Sequence, residues 1–465
     1  MPENNEIQFG TDGWRGVISD NFTFKNVRRV AQAIADYYNA KSKLPKIAVG
    51  YDTRFLSKEY AQAVANVFSA NNIDVLLADN ATPTPMLSFK VKNHSQAAGV
   101  MITASHNPAE YNGIKIKTHT GGAAGVEITK EIERMANAIT DVKLEPKAKI
   151  SKVDFSKEYV YFLRSYVDFK KFKNVKFKVL VDSMHGSGGT FIARVLRGSS
   201  IELEFTRADI NPSFGGLRPE PVAENLEATM QKMKKEKFDI CLVLDGDADR
   251  IACVAPGGEF ISPQRILGLL ALHLSRDRKM TGGLVKTIVG SNIMDNISAK
   301  LNLKLYETPV GFKYISNLME TKDILVGGEE AGGMGFKNYI PERDGSMAGL
   351  LLLEMMADRK KSFLKILDEV EKEFGKYVYL RDDLRIPNIK VDYEALKKVK
   401  SVCNKVVVQV KDYDGVKLML KDSSWLMFRG SGTEPIMRVY AESRSLKTTK
   451  ELLAFGRKLI LPDAL

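Results

Sequence analysis

Short apolar runs recur along this chain, and each ends in a loop of small, polar or charged residues. Lys46-Ile-Ala-Val-Gly50 leads into such a loop, and so does Ile240-Cys-Leu-Val-Leu244. Segments with helical spacing separate the runs, as in residues 57–71, where the apolar side chains fall on one face. This alternation predicts α/β layers built on mostly parallel or mixed sheets. In such sheets, ligands bind at the loops beyond the carboxyl ends of the strands.

The chain is too long for a single core, and its C-terminal part follows a different pattern. Its 465 residues predict two to four domains, at roughly 100–200 residues each. Three apolar strands end in comparable loops, at Ser105, Asp245 and Glu329, which indicates two or three related α/β units that share one cleft. After residue 405, strands follow one another at short spacing before a helix predicted over residues 448–459, which is an α+β pattern.

The charge balance limits the classes of partner. The formal net charge is +12, from 69 Lys and Arg against 57 Asp and Glu. Nucleic acid and small polyanions such as phosphorylated metabolites both suit a basic chain. The sequence has no Arg-rich arm, zinc-finger spacing or RNP-type strand, so phosphorylated metabolites are favoured over nucleic acid. A generic basic surface remains an alternative.

Three cysteines and the absence of long apolar runs in the sequence indicate the compartment. Cys241, Cys253 and Cys403 are sparse and odd in number, which predicts buried thiols in a reducing compartment. The polar N-terminus has no signal-peptide core, and no apolar run approaches the roughly 18 residues that span a bilayer. We therefore expect a cytoplasmic protein without a membrane partner.

A serine stands directly after one of the apolar strands, in Thr103-Ala-Ser-His-Asn-Pro108. Its Asn-Pro pair delays the next helix and holds the loop open, so the Ser105 hydroxyl would stand at a strand end. His106 and Lys115 can donate to a nearby anion. A serine hydroxyl becomes a nucleophile or phosphate carrier only when its neighbours manage its charge. A plain turn before a proline is the alternative.

Asp245-Gly-Asp-Ala-Asp-Arg250 places carboxylates at alternate positions after another buried strand. Three such groups can face one hard cation, and oxygen ligands suit magnesium. An EF-hand is excluded because its sixth and twelfth positions would be Arg250 and Pro256, where Gly and Glu are needed. A haloacid-dehalogenase-type phosphatase also uses a strand-end Asp-x-Asp, but that motif normally lies early in the chain and continues to Thr. A solvated acidic turn stays open.

Two further loops carry groups that suit a sugar phosphate. Arg429-Gly-Ser-Gly-Thr-Glu-Pro435 combines glycines with hydroxyls, and Arg429 and Arg438 supply guanidinium forks that match a phosphate. The alternative is an ordinary glycine-rich hairpin. In Gly328-Glu-Glu-Ala-Gly332, the adjacent carboxylates of Glu329 and Glu330 can accept hydrogen bonds from a polyol, or they belong to a charged turn.

Together these loops resemble the α-D-phosphohexomutase family, which includes phosphoglucomutase, phosphomannomutase and phosphoglucosamine mutase. Phe9-Gly-Thr-Asp-Gly-Trp-Arg-Gly16 is similar to its N-terminal signature, and the other loops follow in the family's order. The resemblance implies an α/β fold of three related mixed-sheet domains and a C-terminal α+β domain around a central cleft. The implied domains are residues 1–150, with the phosphoserine loop, 151–256, with the magnesium loop, 257–372, with the sugar loop, and 373–465, with the phosphate loop.

The resemblance also implies a role for each motif residue. Ser105 would carry the phosphoryl group, and its oxygen would bind magnesium together with three carboxylates. The implied metal ligands are Ser105, Asp245, Asp247 and Asp249. The reaction centre would be lined by Arg15, His106, Lys115 and Arg250. The substrate would be held by Lys313, Glu329, Glu330, Arg429, Ser431, Gly432, Thr433 and Arg438.

The implied reaction interconverts a hexose 1-phosphate and a hexose 6-phosphate, by way of the phosphoserine and a hexose 1,6-bisphosphate. Glucose is favoured by the Glu329-Glu330 pair, and mannose is a possible substrate. Trp14 replaces the Ile usual in glucosamine mutases, while Ala331, Gly333 and Phe312 depart from residues found in other members. Phosphoglucosamine mutase, a phosphatase or bisphosphate synthase on the same site, and a sugar-phosphate sensor are the alternatives. The oligomeric state stays open between monomer and homodimer.

Overall fold

A computed structural model describes residues 6–10, 12–42, 45–385, 391–430 and 436–461. Within these ranges the strands form four sheets that follow one another along the chain. The first three sheets mix parallel and antiparallel pairs, and the fourth is antiparallel throughout its described pairs. The expected fold class is therefore confirmed: three mixed α/β units and a C-terminal unit of a different type.

The first sheet has seven strands in the order β1-β2-β6-β5-β3-β4-β7. These strands are β1 (Phe9–Gly10), β2 (Gly13–Val17), β3 (Lys46–Tyr51), β4 (Asp74–Ala78), β5 (Ala98–Ile102), β6 (Tyr111–Thr118) and β7 (Ile150–Val153). The helices of this unit are α1 (Phe24–Lys41), α2 (Ser57–Ala70), α3 (Thr84–Asn93) and α4 (Val126–Ala138). Every residue of β5 is buried, because a central strand covered on both faces has no polar side.

The second sheet has five strands in the order β12-β11-β10-β8-β9. These strands are β8 (Lys178–Asp182), β9 (Glu202–Thr206), β10 (Ile240–Leu244), β11 (Ile251–Ala255) and β12 (Glu259–Ile261). The helices of this unit are α5 (Ser156–Tyr166), α6 (Phe191–Leu196) and α7 (Glu227–Lys235), with short 3-10 helices at Phe169–Lys173, Phe214–Gly216 and Ala223–Asn225. Strands β10 and β11 are antiparallel and fully buried, so the acidic loop between them leaves the sheet at a buried edge.

The third sheet has four strands in the order β14-β13-β15-β16. These strands are β13 (Gly283–Thr287), β14 (Leu305–Thr308), β15 (Ile324–Gly328) and β16 (Met334–Phe336). The helices are α8 (Pro263–Leu272), continued by a π-helical turn at His273–Asp277, then α9 (Asn292–Leu301), α10 (Phe312–Thr321), α11 (Gly345–Arg359) and α12 (Phe363–Phe374). Residues 345–357 of α11 are buried throughout, which explains the long apolar run there without a membrane.

The C-terminal sheet has six strands in the order β17-β22-β21-β20-β19-β18. These strands are β17 (Val378–Arg385), β18 (Ser401–Val402), β19 (Lys405–Lys411), β20 (Val416–Leu420), β21 (Trp425–Gly430) and β22 (Ile436–Ser443). The helices are α13 (Tyr393–Lys397) and α14 (Leu446–Ile460), and α14 contains the helix predicted from sequence. Ser445 caps α14 by accepting a hydrogen bond from the Thr448 N–H, which satisfies one of the unpaired amides at the helix start.

The buried apolar residues of the C-terminal unit form a cluster separate from that of the first three units. One continuous cluster runs through the first three units, and a second lies between the C-terminal sheet and its helices. A small third cluster joins the two parts, where Ile288 and Val289 pack against Trp425, Met427 and Tyr440. The C-terminal unit therefore has its own core and a limited apolar seam with the third unit. The domain boundaries given above stay a prediction.

The cysteines and the apolar helices can be compared with what the sequence predicts for them. Cys241 and Cys253 are buried thiols, as expected, but Cys403 is only partly buried because it lies in the turn between β18 and β19. All three are free. Within the described ranges, none of the helices combines the length and apolar character that crossing a bilayer requires.

Candidate active site

The Ser105 loop leaves the buried end of β5 and turns sharply. Ser105 has a φ of +54°, a left-handed conformation that a non-glycine residue adopts only when its surroundings fix it. The Ser105 N–H donates to the Thr103 Oγ1 at 2.8 Å, and the residue is fully buried. This geometry turns the serine side chain toward the second sheet.

Arg54, in the loop after β3, holds the serine loop in place through its backbone. Its two Nη atoms donate to backbone carbonyl oxygens of Ser105, Asn107, Pro108 and Tyr111, at 2.6–3.0 Å. Its Nε lies 3.2 Å from the carboxylate of Asp52, which also accepts from the Thr103 hydroxyl. Burial raises the pKa of Asp52, and the charge of Arg54 opposes that rise. The loop conformation thus depends on one buried guanidinium.

The three aspartates of the acidic loop converge opposite the serine. Asp245, Asp247 and Asp249 are fully buried, and one carboxylate oxygen from each lies within 4.8 Å of the others. The Ser105 hydroxyl donates to the Asp245 Oδ2 at 3.1 Å. The structure therefore brings together residues that lie 140 positions apart in the chain, Ser105 and Asp245, at one point between the first two sheets.

The acidic loop suits a hard cation. Asp247 Oδ1 and Asp249 Oδ1 are buried and have no hydrogen-bond partner among the described residues. Burial raises the pKa of Asp245 well above its usual range, and the charges of Asp249 and Asp247 raise it further. Such crowding of buried carboxylates indicates negative charge that the protein side chains leave uncompensated. Oxygen donors in this arrangement match the ligand preference of magnesium.

Two cations, Lys115 and Arg343, bind the Oδ2 atoms of Asp247 and Asp249, which are the outer oxygens of these carboxylates. Lys115 Nζ lies 2.8 Å from Asp247 Oδ2 and 3.0 Å from both Asp249 Oδ2 and Asp12 Oδ2. Arg343 Nη2 lies 2.7 Å from Asp249 Oδ2 and 2.6 Å from Asp12 Oδ2. Burial alone would raise the pKa of Asp247, but Lys115, the Thr84 hydroxyl and Arg343 together outweigh it, and the net effect lowers that pKa. The Oδ1 atoms of Asp247 and Asp249, the inner oxygens, are left without a hydrogen-bond partner among the described residues.

Arg343 also extends into the sugar loop. Its Nη1 lies 3.5 Å from Glu329 and its Nε 3.3 Å from Glu342, which pairs in turn with the buried Lys117. Gly333 leaves the space that the arginine side chain occupies, because a Cβ built on Gly333 would lie 2.1 Å from the Arg343 Cδ. The position of Arg343 therefore depends on the absence of a side chain at residue 333.

Arg15, His106 and Arg250, which are predicted to line the reaction centre, lie beside the serine loop and the acidic loop. Arg15 Nη1 donates to the Asn107 Oδ1 at 2.5 Å, and Arg250 Nε lies 3.9 Å from Asp245. Burial lowers the pKa of His106 well below its usual range, and Arg250 and Arg15 lower it further. The imidazole is therefore neutral at pH 7, so it can offer an anion one N–H donor but no charge.

The sugar loop follows β15, with a buried glutamate at its start. Burial raises the pKa of Glu329 to about 7, although Arg343 opposes the rise. Glu330 accepts a hydrogen bond from the Thr287 hydroxyl at 3.1 Å. Lys313 stands in the first turn of α10, where burial lowers its pKa and the charge of Asp12 raises it. Phe312 beside it is buried in the core of the third unit, so its effect on the sugar is indirect.

The two arginines predicted to bind phosphate lie on neighbouring strands of the C-terminal sheet. Arg429 and Arg438 are directly opposite in the pairing of β21 with β22, which places both side chains on one face. Arg429 Nε donates to the Asp414 Oδ1 at 2.9 Å, and Arg438 Nε lies 3.9 Å from Asp383. The predicted loop residues Ser431, Gly432 and Thr433 lie outside the described residues.

Sequence reasoning missed four residues that hold this site together. They are Asp12, Arg54, Thr84 and Arg343. Thr84 is the least expected, because its hydroxyl donates to the Asp247 Oδ2 at 2.6 Å and its N–H to the Asp247 carbonyl at 3.0 Å. A signal existed for two of them: Asp12 lies inside the N-terminal signature, and Arg54 ends a polar loop after an apolar strand. Thr84 lies in the Pro-punctuated turn after the strand over residues 74–78, but that turn carries no sign of a contact with the acidic loop. Arg343 follows no strand-end pattern.

The site combines a buried serine with three carboxylates, and cations from the first three units surround them. This combination defines a site of the phosphoryl-transfer class. Family models described as phosphoglucomutase/phosphomannomutase α/β/α domains I, II and III match residues 6–143, 157–258 and 262–374. The model of the C-terminal domain of the same family matches residues 384–458. The chain belongs to the phosphoglucomutase/phosphomannomutase family, and its members are enzymes.

Relatives with this architecture carry more than one substrate name. A Thermococcus kodakarensis protein named phosphoglucomutase/phosphomannomutase is 29% identical, covering 97% of this chain and 98% of its own length. A Sulfurisphaera tokodaii protein named phosphoglucosamine/phosphogalactosamine mutase is 30% identical, with coverage of 97% and 98%. A crystal structure from Thermus thermophilus, described as a phosphomannomutase, has a TM-score of 0.89 and 34% identity, covering 98% of this chain and 99% of that one.

Proposed function

We propose that this enzyme is a phosphosugar mutase that interconverts a hexose 1-phosphate and a hexose 6-phosphate through phosphorylated Ser105. One observation carries the proposal: the Ser105 hydroxyl lies 3.1 Å from a carboxylate oxygen of Asp245, within a buried group of three aspartates. A serine in a strained loop, at a buried cluster of oxygen ligands, suits a phosphoryl carrier better than a structural turn.

In the first half-reaction, the bond between phosphorus and Ser105 Oγ breaks. A bond forms from that phosphorus to the free hydroxyl oxygen of the hexose monophosphate, and the proton of that hydroxyl ends on Ser105 Oγ. The product is a hexose 1,6-bisphosphate. After the bisphosphate turns around, the reverse transfer from its other phosphate restores phosphorylated Ser105, and the isomeric monophosphate leaves.

The residues present fit a magnesium ion, which Asp245, Asp247, Asp249 and an oxygen of the phosphorylated serine would hold. When bound, such an ion neutralises charge on the transferring group. The protein prepares this arrangement with Lys115 and Arg343, because each of them binds the outer oxygen of an aspartate and leaves the inner one free. Lys115, Arg15 and Arg250 supply further positive charge to the phosphoryl oxygens.

The other phosphate needs a site that accepts both orientations of the sugar. Arg429 and Arg438, on one face of the C-terminal sheet, supply two guanidinium forks for a phosphate dianion. We assign Ser431, Gly432 and Thr433 to the same phosphate from their place in the sequence motif. Glu329 and Lys313, on the third unit between the two phosphate positions in chain order, are assigned to the sugar hydroxyls.

Glucose is the preferred sugar in this proposal, with mannose as a further substrate. The adjacent carboxylates of Glu329 and Glu330 support a neutral polyol, which offers them hydroxyl donors. An amino sugar is the second candidate, because a relative 30% identical to this chain is named for glucosamine and galactosamine phosphates. Coupled assays on glucose, mannose and glucosamine 1-phosphates, with the matching 1,6-bisphosphate as activator, will rank the three.

The proposal is tested by replacing the serine hydroxyl. Ser105→Ala should abolish formation of the 6-phosphate, and mass spectrometry of the active wild-type protein should find the phosphoryl group on Ser105. Ser88→Ala is the matched control, because Ser88 is a buried serine whose hydroxyl has no hydrogen-bond partner among the described residues. Full turnover by Ser105→Ala would contradict the phosphoserine scheme. Free phosphate as the main product would instead favour a phosphatase on the same site.

A further inference from the structure

Polar contacts line the seam between the C-terminal sheet and the third unit. The side chains of Lys411 and Tyr413, from the end of β19 and the turn after it, both bind Glu307 of β14, at 2.6 Å each. Asp414 follows in the same turn and makes a different kind of contact. Asp414 contacts both Val310 of the third unit and Arg429, which is a predicted substrate ligand.

The Asp414 carboxylate bridges two loops that belong to different units. Its Oδ1 accepts from the Arg429 Nε at 2.9 Å, and its Oδ2 accepts from the Val310 N–H at 2.7 Å. Val310 lies in the short loop between β14 and α10, three residues before Lys313. One carboxylate therefore connects a phosphate-binding arginine with the loop that carries a predicted sugar ligand.

The turn that carries Asp414 is supported against the strand of Arg429. Gly415 has a φ of +94°, and a Cβ there would lie 2.2 Å from the carbonyl oxygen of Phe428 in β21. Only a glycine allows this close approach, so the turn is pressed onto β21 just before Arg429. The position of Asp414 is thus set by the backbone and not by its own ion pair alone.

The contact uses only one edge of the Arg429 guanidinium. Asp414 binds at Nε, and neither Nη atom has a hydrogen-bond partner among the described residues. Burial would lower the pKa of Arg429, but Asp414, together with Tyr440 and Glu330, raises it overall. Because an arginine is charged at physiological pH in any case, the contribution of the pair is orientation: it directs the Nη edge, which is the edge free to meet a phosphate.

We infer that Asp414 is a positioning residue of the phosphate clamp: it orients Arg429 and ties it to the Val310 loop, so that phosphate and sugar ligands from two units keep a fixed distance. This inference rests on the proposed function, which assigns Arg429 to the non-reacting phosphate. Asp414 itself touches neither Ser105 nor the acidic loop in the described contacts. Its loss should therefore weaken substrate binding and leave the phosphoryl-transfer step largely intact.

The test measures KM and kcat separately for four single variants and one double variant of the full-length protein with glucose 1-phosphate. Asp414→Ala removes both contacts. Asp414→Asn keeps an oxygen acceptor for the Val310 N–H but removes the negative charge that faces Arg429. Both should raise KM about tenfold or more and change kcat less than about threefold, since hydrogen bonds to charged groups are worth that much. Tyr413→Phe, in the same turn, is the control and should stay within about twofold of wild type.

The fourth variant, Arg429→Ala, separates positioning from general loosening of the seam. In an Arg429→Ala background, adding Asp414→Ala should raise KM no further, because the residue it positions is gone. A KM for Asp414→Ala within twofold of wild type, or an equal increase for Tyr413→Phe, would overturn the inference. Absence of mutase activity in the wild-type protein would instead reject the proposed function, and isothermal titration of inorganic phosphate would then still compare Asp414→Ala with wild type.

Discussion

Adding one methyl group at Gly333 should disturb the active site without touching a catalytic side chain. A Cβ at this position would lie 2.1 Å from the Arg343 Cδ and 2.7 Å from its Cγ. Carbon atoms in contact normally lie about 3.5–4.0 Å apart, so the arginine has to move by roughly 1.4 Å. Its bonds to Asp12 and Asp249, now 2.6 and 2.7 Å, would then exceed hydrogen-bonding distance.

The size of the effect follows from what the displaced arginine leaves behind. Overpacking of a buried site typically costs about 1–3 kcal/mol. Removing the partner of a buried carboxylate costs about 3–5 kcal/mol, although Lys115 still compensates part of the charge on Asp12 and Asp249. We expect Gly333→Ala to lose about 3 kcal/mol, and to melt about 3–4 °C lower because the unfolding entropy of so long a chain is large. A displaced Asp249 carboxylate should lower kcat about 100-fold.

Thermal unfolding and the coupled mutase assay check this prediction together. Gly125→Ala is the control, because a Cβ at Gly125 meets nothing within 4 Å and its φ is negative. That variant should melt within about 1 °C of wild type and keep its kcat. If Gly333→Ala matches the control in both measurements, Arg343 is not held where the packing places it, and the account of the outer aspartate oxygens fails.

Three further predictions concern the metal, a titrating carboxyl and the serine loop. Asp247→Asn should abolish stabilisation by magnesium in a thermal-shift titration, because it removes charge from the acidic loop; an unchanged magnesium midpoint would contradict the metal assignment. Glu329 has a usual pKa of 4.5 that the fold raises to about 7, so the folded protein binds the extra proton and loses stability as pH rises through that window. Glu329→Gln should therefore be more stable than wild type at pH 8 by on the order of 3 kcal/mol, and the difference should shrink toward pH 5. Arg54→Lys keeps the charge but cannot bind four carbonyl oxygens, so kcat should fall at least tenfold; wild-type kcat would refute the role of Arg54 as the support of the loop.

Much of the fold could be predicted because burial on both faces leaves a simple pattern in the sequence. Strands such as β5 and β10 are buried at every residue, so each is a continuous apolar run. The polar loops after them carry the predicted site residues, because strand ends in such sheets open at a common edge. Strand order and the contacts between units left no comparable pattern, since they depend on pairs of residues far apart in the chain.

The missed site residues show where that reasoning ends. Arg343 is buried and charged, a rare combination whose meaning appears only when its partners from other units are known. Thr84 opens α3 and looks like an ordinary helix start, yet its hydroxyl and amide both bind Asp247. His106 was expected to help hold an anion, and burial beside two arginines leaves it neutral. In each instance the tertiary environment, and not the local sequence, sets the state of the group.

The charges that would perform the chemistry also join the first three units. Lys115 of the first unit binds Asp247 and Asp249 of the second, and Arg343 of the third binds Asp249 and Asp12. Because these pairs are buried, a change that breaks one should lower stability and kcat together. The C-terminal unit has a separate core and joins through its own seam, so changes there should act on KM. This division between a reaction centre joined by buried ion pairs and a phosphate clamp on a unit with its own core suits the proposed reaction with two substrate orientations. The sugar phosphate can be released at the clamp while the charges around Ser105 stay in place.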